Sequence, residues 1–185
     1  MSRNAAAAMV ALAVALVGCS DRDARETTRA APTAVGIIAS PAPVPTPAGK
    51  PVLTITGAVT NYNDDSAVVF DLPTLNAMAT VAALIYEPFV KKDVKFTGVP
   101  MADLLARAGI SAAATTVRLH ALDDYKVEFK VADFADRGIL LATKVDGAGI
   151  AVDAGGPIRL VFPAGSAAGK NRDLWIWSID SITVA

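Results

Sequence analysis

The chain has 185 residues, and its 17 Lys and Arg residues nearly balance its 18 Asp and Glu residues, which leaves a formal net charge of −1. This length suits one folded domain with an additional tail. A near-neutral chain that has neither a basic stripe nor interleaved basic and aromatic residues argues against a nucleic-acid partner.

The first 18 residues are typical of a secretory signal. Arg3 precedes an apolar run that begins near Ala5 and ends at Cys19, and the polar stretch SDRDARETTR follows. A short positive start, an apolar stretch of about 7–15 residues and a small-residue cleavage point characterise such a signal. A plain signal peptide and an uncleaved membrane anchor are the alternatives to a lipoprotein-type signal. The apolar run is shorter than the roughly 20 residues that span a bilayer, which argues against the anchor.

The segment Leu16-Val17-Gly18-Cys19 resembles the lipobox of bacterial lipoproteins. The resemblance implies that the Cys19 thiol receives a diacylglyceryl group, that residues 1–18 are removed as a signal and that the new amino terminus is acylated. Two or more acyl chains make a stable membrane anchor. We therefore expect anchoring on the periplasmic side of the envelope. The resemblance also implies the outer membrane rather than the inner one, because Ser20 follows the cysteine in place of the aspartate that retains enterobacterial lipoproteins in the inner membrane.

Residues 19–50 are predicted to be an Ala/Pro-rich tether. They show no sustained period, and prolines recur too densely for a helix or a sheet, at Pro41, Pro43, Pro45, Pro47 and Pro51. Such segments favour extended polyproline conformations and act as semi-rigid spacers. The folded domain is accordingly predicted for residues 51–185. With Cys19 lipidated, this domain has no thiol for a disulfide, a thiolate metal site or a cysteine nucleophile.

Most of residues 51–185 is predicted to form strands, because alternating or β-branched apolar residues mark seven segments: VLTITGAVTN, SAVVFDL, DVKFTG, TVRLHA, YKVEFKV, PIRLVFP and LWIWSIDSITV. Asp146-Gly147 predicts a hairpin turn. Two helices are predicted, the short LPTLNAM after Asp71 and the clearer VPMADLLARAG. In the second helix, Pro100 suits the first turn and Gly109 suits the C-terminal cap.

The apolar segment TVAALIY fits either a buried strand or a turn of helix, since periodicity does not distinguish them. Strands that dominate over a few short helices predict an α+β domain built on mostly antiparallel sheet. Trp175 and Trp177 share one face of the last predicted strand with Ile179. We expect both tryptophans to pack in the core, with ligand stacking as the alternative.

Four segments resemble, in this order, motifs of the oxidoreductase molybdopterin-binding domain family, which has the sulfite oxidase type of fold. FTGVPMADLL is similar to W-x-G-V-P-L-x-D-L-L, and ALDDYKVEF is similar to an A-D-G-Y turn followed by a strand. GGPIRLVFP is similar to G-G-P-L-R-L-V-x-P, and GKNRDLWIWSIDSITV is similar to the family's closing lysine–tryptophan segment. The resemblance covers most of residues 51–185 and implies a sulfite oxidase-like fold.

In catalytic members of that family, a cysteine thiolate binds molybdenum just upstream of the W-x-G-V-P segment, beside the sulfur atoms of the pterin. The corresponding stretch here, MATVAALIYEPFVKKDVKFTGVPM, has no cysteine, histidine or serine. Thr80, Tyr86 and Glu87 are its oxygen-bearing side chains before the lysines, and none replaces the thiolate on spacing alone. Small envelope proteins of the family that also lack the cysteine have T-P-W where this chain has YEPF. We therefore predict no catalytic residue and no metal ligand.

Three basic residues are candidates for binding an anion. Lys170 lies in the glycine-rich segment PAGSAAGKN and Arg172 follows it directly, so this region can offer cations and backbone N–H groups. The resemblance implies contact with the pterin phosphate there. A solvated hairpin tip is the alternative, and the glycine spacing and the strand predicted to follow argue against a P-loop. Arg159 either holds a ligand anion or pairs with an acidic residue such as Asp153.

Asp124 and Tyr125 complete the candidate site, because they match the turn of the family motif. Tyr125 is expected to pack against this turn or to cap it. His120 is the single histidine of the chain and lies on the Arg118 face of a predicted strand, so it can titrate near neutral pH. Without a second histidine or a cysteine, we expect His120 to be a structural or surface residue.

Two functions from different classes follow. The first is a non-redox module that binds a small anionic ligand or an envelope protein, with no cofactor, in a domain that has lost its metal chemistry. The alternative is a molybdopterin-dependent oxidoreductase, or a subunit of one, that still binds molybdopterin. The missing thiolate favours the first function, and the sequence leaves open whether the chain is an enzyme.

Overall fold

The computed structural model describes residues 42–185. The predicted signal, Cys19 and most of the predicted tether lie outside these residues. Within residues 42–185, no helix is long and apolar enough to cross a bilayer.

Ten strands are present in the described part of the chain: β1 Pro51–Gly57, β2 Val68–Asp71, β3 Val81–Glu87, β4 Lys92–Pro100, β5 Thr116–Ala121, β6 Lys126–Lys130, β7 Leu140–Val145, β8 Ala148–Gly149, β9 Arg159–Val161 and β10 Ile179–Val184. The α-helices in the same residues are α1 Leu72–Ala77, α2 Met101–Ala108 and α3 Ala167–Lys170, and short 3-10 helices cover Val131–Ala135, Val152–Ala154 and Arg172–Leu174.

The strands form two five-stranded sheets. The first has the order β2-β1-β10-β5-β6, and the second has the order β3-β4-β7-β8 with β9 also paired to β7. β1 and β10 run parallel, while the other named pairs are antiparallel. The predicted α+β fold with mostly antiparallel sheet is confirmed. The side-chain period of two explains the burial in β6, where Val127 and Phe129 are buried between exposed charged residues.

Helices α1 and α2 form at the predicted positions. Asp71 precedes α1, and its Oδ1 accepts a hydrogen bond from the Thr74 N–H at 2.8 Å, as an N-cap residue does. The apolar face of α2 is buried, and this helix ends at Gly109, whose φ of 71° suits a residue without a Cβ. Asp146 and Gly147 also have positive φ angles and connect β7 to β8 in the predicted hairpin.

The segment TVAALIY, for which the sequence left two possibilities, is strand β3. It lies at an edge of the second sheet and pairs with β4 from Val81 to Glu87. Ile85 and Glu87 are buried, whereas Leu84 and Tyr86 are exposed. Continuous backbone pairing with β4 therefore decides the conformation of a segment whose composition was ambiguous.

The last strand is shorter than predicted. Only Ile179–Val184 is extended in the sheet, because Ser178 has a φ of 49° and interrupts the strand. Trp175 and Trp177 therefore do not share a strand face with Ile179. Trp175 still packs in the core, while Trp177 is half-buried.

The segment PAGSAAGKN does not form a hairpin tip. Residues Ala167–Lys170 form α3, and the Ser166 Oγ accepts a hydrogen bond from the Gly169 N–H at 3.0 Å. The 3-10 helix Arg172–Leu174 follows, where a strand was expected. Serine is among the residues that N-cap a helix best, and this preference is the local signal for α3.

The folded part begins earlier than residue 51. Val44 is buried, and the Asn63 Nδ2 donates a hydrogen bond to the Pro45 carbonyl at 2.8 Å. The Gly49 N–H donates to Asp71 Oδ2 at 2.8 Å. The predicted boundary at residue 50 therefore lies too late in the chain, because an apolar side chain and backbone polar groups upstream of it find partners on the domain.

Candidate functional site

A cavity of about 500 Å³ opens where four segments of the chain meet. Its walls come from Phe89 after β3, from the turn between β5 and β6, from the 3-10 helix Val152–Ala154 with Gly155, and from the segment Trp175–Ser178 before β10. We call this space the aromatic cavity. Its volume lies within the range of about 300–1,000 Å³ that is usual for small-molecule sites.

Hydrogen bonds hold the walls of the aromatic cavity together. The Ser178 N–H donates to the Gly155 carbonyl at 2.9 Å, and the Ser178 carbonyl accepts from the Leu122 N–H at 3.0 Å. The Tyr125 hydroxyl donates to the Asp173 carbonyl at 2.7 Å. The residue that interrupts the last strand thus joins two of the walls.

The two glycines of GGPIRLVFP allow close packing beside the cavity. A Cβ on Gly155, whose φ is 83°, would lie 3.0 Å from the Trp177 Cβ. A Cβ on Gly156 would lie 2.0 Å from the Ile150 carbonyl oxygen, a distance that real Cβ atoms do not adopt. The resemblance at this motif therefore has a packing reason in the structure.

Aromatic side chains form a large part of the wall, which includes Phe89, Tyr125, Trp175 and Trp177. The ring centroid of Phe89 lies 5.1 Å from that of Trp177 and 6.4 Å from that of Trp175, and both contacts are edge-to-face. The Trp175 Nε1 donates to the Gly169 carbonyl at 3.1 Å, which connects α3 to the wall. Edge-to-face pairs are favourable contacts and stabilise the position of Phe89.

The rim of the aromatic cavity is apolar and exposed. Four of the nine exposed large hydrophobic side chains in the described part of the chain line this cavity, namely Phe89, Leu122, Tyr125 and Val152. Single exposed apolar residues are normal on a protein surface, but a group that converges on one concavity indicates a binding surface.

A buried ion pair lies next to this wall. The Arg159 Nη2 lies 3.0 Å from Glu87 Oε1, and the side chains of Arg159 and Glu87 are only 7% and 2% exposed. Glu87 Oε2 accepts from the N–H groups of Phe89 at 3.1 Å and Val90 at 2.7 Å. Burial lowers the pKa of Arg159, and the adjacent Glu87 carboxylate acts in the opposite direction. Both carboxylate oxygens of Glu87 are thus engaged within the protein.

Arg159 belongs to a second cavity. This space of about 510 Å³ has mainly apolar walls, and it reaches Glu87, Arg159 and Trp177. The guanidinium carbon of Arg159 lies 4.3 Å from the Trp177 ring centroid and 5.2 Å from that of Phe96. Trp177 lines both cavities, so the ion pair and the aromatic cavity share one indole ring.

The three basic candidates do not meet in one place. Arg159 pairs with Glu87 and not with Asp153. The Arg172 Nη2 donates to the Pro88 carbonyl at 2.6 Å, and its guanidinium carbon lies 4.7 Å from the Phe89 centroid. Lys170 is the last residue of α3, and neither Lys170 nor Arg172 lines the aromatic cavity or the second one.

The turn residues also separate. Tyr125 lines the aromatic cavity, whereas Asp124 Oδ1 lies 3.1 Å from His120 Nε2. His120 Nδ1 lies 2.8 Å from Asp180 Oδ1, and this hydrogen bond raises the pKa of His120 above its ordinary value of 6.5. Asp124 thus belongs to a cluster with His120 and Asp180 and does not line the aromatic cavity. Of the five residues predicted to bind an anion, Tyr125 is the one that lines the aromatic cavity.

Sequence reasoning missed the roles of Glu87 and Phe89. The sequence does contain an indication for Glu87. This residue lies two positions after Ile85 at the end of an apolar segment, so strand periodicity predicts that its carboxylate faces inward. A carboxylate at such a position needs a buried cation or several hydrogen bonds. Phe89 had no comparable signal, since its contacts are with tryptophans more than 80 residues later in the chain.

The comparison with family models identifies the fold. Residues 74–183 match the oxidoreductase molybdopterin binding domain, and this match covers more than half of the 185 residues. The chain belongs to this family. A search of curated proteins gives no match to the chain.

A solved structure supports the same assignment at the level of the fold. The family domain described here is similar to the sulfane dehydrogenase SoxCD from Paracoccus pantotrophus, with a TM-score of 0.55 and 18% sequence identity. The match covers 71% of this chain and 37% of the SoxCD chain. This chain therefore has the fold of one part of a longer protein.

The donor set does not fit a molybdenum centre held by a protein thiolate. Residues 42–185 contain no cysteine, and Glu87, a buried acidic residue upstream of FTGVP, is occupied by Arg159 and two backbone N–H groups. In the same residues, no three His, Cys, Asp or Glu side chains are grouped as metal ligands. This member of the molybdopterin-binding family therefore departs from the catalytic pattern at the metal ligand itself.

Proposed function

We propose that this chain is a lipid-anchored envelope protein whose domain is a non-redox binding module, with the aromatic cavity as its binding site. The buried Glu87–Arg159 pair is the observation that carries the proposal. Its acidic member, Glu87, lies in the segment in which catalytic family members are expected to carry the thiolate.

The pair also opposes recruitment of Glu87 as a substitute metal ligand. A metal that took the Glu87 carboxylate would leave the Arg159 guanidinium buried without its counter-charge. Uncompensated burial of one partner of such a pair costs about 3–5 kcal/mol. Glu87 therefore acts as a structural residue and not as a substitute metal ligand.

The rim supports ligand binding as the role of the domain. Phe89, Leu122, Tyr125 and Val152 expose apolar surface to water around a concavity of suitable volume. Covering this surface with a ligand is favourable by about 25 cal/mol per Å² of apolar area removed from water. Such a group of exposed apolar side chains around a concavity is typical of a binding surface.

The anchor is proposed from the sequence. The Leu-Val-Gly-Cys segment that ends the apolar run supports removal of residues 1–18 and lipidation of Cys19. Two or more acyl chains would hold the domain at the membrane. The proposed location is the periplasmic side of the envelope, with the outer membrane favoured by Ser20.

Elemental analysis tests the non-redox proposal. The full chain is purified from a molybdenum-replete host beside a cysteine-containing member of the family, which shows that the host supplies the cofactor. We expect molybdenum far below one atom per chain after gel filtration. A content near one per chain would overturn the proposal and establish the alternative, a molybdopterin-dependent oxidoreductase or a subunit of one.

A further inference from the structure

We infer that the aromatic cavity binds an organic cation, an amine or quaternary ammonium group attached to an apolar body. The inference rests on the proposed binding function and names the class of ligand. It departs from the anionic ligand expected from the sequence.

The charged residues that line the aromatic cavity are two carboxylates. Asp123 and Asp153 lie at its wall, and no Lys, Arg or His side chain is among its lining residues in the described part of the chain. Asp123 Oδ1 accepts a hydrogen bond from the Tyr125 N–H at 3.2 Å, which orients this carboxylate at the rim. An anion placed in the cavity would meet like charge, whereas a cation would meet opposite charge at two points.

The four aromatic rings add a second attraction for a cation. Trp, Tyr and Phe rings attract a cation that lies within about 6 Å of the ring centroid, and Trp does so best. Two side chains of this protein already make such contacts in the same ring cluster, Arg172 with Phe89 at 4.7 Å and Arg159 with Trp177 at 4.3 Å. These contacts show that rings of this cluster accept a cation, with one arginine already placed over Phe89 and one over Trp177.

The nearby arginines do not reverse the preference. Arg159 is neutralised by Glu87, whereas Arg172 keeps its charge and donates its Nη2–H to the Pro88 carbonyl, so that two cavity carboxylates face one uncompensated guanidinium. Neither arginine lines the aromatic cavity. Leu122 and Val152 at the rim offer apolar contacts to the body of the ligand. The carboxylates and rings therefore bind its cationic group, and the rim binds its apolar part.

The two tryptophans of the chain, Trp175 and Trp177, both line the cavity, so intrinsic fluorescence reports directly on this site. The full chain in detergent is titrated with three probes that share a phenyl body: benzyltrimethylammonium, benzyl alcohol and benzenesulfonate. We expect saturable binding of the cation that is about tenfold tighter than that of the neutral probe, as a desolvated cation–π contact provides. Benzenesulfonate is expected to bind most weakly.

The carboxylates are tested with an Asp123→Asn, Asp153→Asn double variant, which removes both charges and keeps the shape and one acceptor oxygen of each side chain. It should lose the preference for the cation while keeping its affinity for benzyl alcohol. The matched control, Asp93→Asn with Asp146→Asn, changes the net charge equally at exposed sites outside this cavity and should bind the cation as the parent does.

The outcomes separate the inference from the proposed function. Tighter binding of benzenesulfonate or benzyl alcohol than of the cation, or unchanged cation affinity in the Asp123→Asn, Asp153→Asn variant, overturns the cation inference and leaves a ligand-binding module. The absence of a saturable response to all three probes overturns both the inference and the assignment of this cavity as the binding site.

Discussion

Glu87 occupies a position at which strand periodicity calls for an apolar side chain. It faces inward on β3 like Ile85, and its carboxylate is compensated by Arg159 and by two backbone N–H groups. A buried charge of this kind is tolerated only when it is paired and hydrogen-bonded. The pair joins β3 to β9 and places Arg159 against the Trp177 ring.

Replacing Glu87 tests this pairing. Glu87→Ala should lower the free energy of unfolding by about 3–5 kcal/mol, because the Arg159 guanidinium stays buried without a partner. Urea denaturation followed by tryptophan fluorescence measures the change. Glu128→Ala, which removes the exposed partner of Arg118, is the control and should cost less than about 1 kcal/mol. Equal costs for the two variants would contradict the structural role of the buried pair.

His120 predicts a pH dependence of stability. Its hydrogen bond to Asp180 raises its pKa in the folded state above the ordinary value of 6.5, with Asp124 acting in the same direction and Lys126 in the opposite one. A raised pKa contributes stability that is complete below about pH 6.5 and is lost as the pH rises through the folded-state pKa.

The measurement compares the melting temperatures of the parent and of His120→Gln at pH 5.5, 7 and 8.5. The parent should be the more stable protein at pH 5.5, and the difference should shrink with rising pH. A difference that is constant across this range would show that protonated His120 does not stabilise the fold.

At the scale of elements, the motif glycine of FTGVP has a packing reason. The pairing of β4 with β7 shifts register between Thr97 and Gly98, and a Cβ on Gly98 would lie 2.2 Å from the Leu141 carbonyl oxygen. Only a residue without a side chain lets β7 approach β4 so closely at this bulge. The resemblance at this segment therefore reflects the sheet as much as any binding site.

The segment 42–50 behaves as part of the domain, which predicts the effect of shortening the chain. A chain that begins at residue 42 should have a melting temperature several degrees above that of a chain that begins at residue 51. The shorter chain loses the buried Val44 and the hydrogen bond from the Gly49 N–H to Asp71.

Asp71 makes the difference in melting temperature between these two chains depend on pH. Hydrogen bonds from Thr74, followed by that from Gly49, lower its pKa from 3.8 to about 2. A lowered pKa contributes stability above pH 4 that is lost as the pH falls toward 2. Thermal melts at pH 7 and pH 3 should therefore show a smaller difference between the two chains at pH 3, and equal melting temperatures at pH 7 would show that residues 42–50 contribute nothing.

At the scale of the whole molecule, the fold is that of the molybdopterin-binding family, while the metal ligand of its catalytic members is missing. The lipid anchor proposed for Cys19 would be a second property of the chain as a whole, because it would set where the domain lies. A diacylated or triacylated cysteine would hold the domain at a membrane surface.

The anchor is tested by Cys19→Ala. The variant should keep the signal, because processing requires the thiol, and it should be lost from the outer-membrane fraction, because it carries no acyl chains. Cell fractionation and gel mobility measure both effects, and Ser20→Ala serves as a control that should remain membrane-bound. A variant that fractionates and migrates like the parent would show that Cys19 is not lipidated.

Much of the secondary structure could be predicted because its causes are local. The i, i+3, i+4 spacing of apolar residues and Gly109 are sufficient for α2, and the alternation around Phe129 is sufficient for β6. The Trp175–Ser178 segment was misassigned because its composition suits a strand. Its conformation depends instead on two hydrogen bonds of Ser178 with residues far away in the sequence: its N–H donates to the Gly155 carbonyl, and its carbonyl accepts from the Leu122 N–H.

The sequence by itself determined the class of fold, the family resemblance and the absence of a thiol downstream of Cys19. Each of these depends on residue type or on short-range period, which a linear chain displays directly. Only the tertiary structure decided that Arg159 pairs with Glu87, that residues 42–50 belong to the domain and that Asp123 and Asp153 line one aromatic cavity. These features arise from packing between segments distant in sequence, and no local pattern specifies which distant partner a side chain meets.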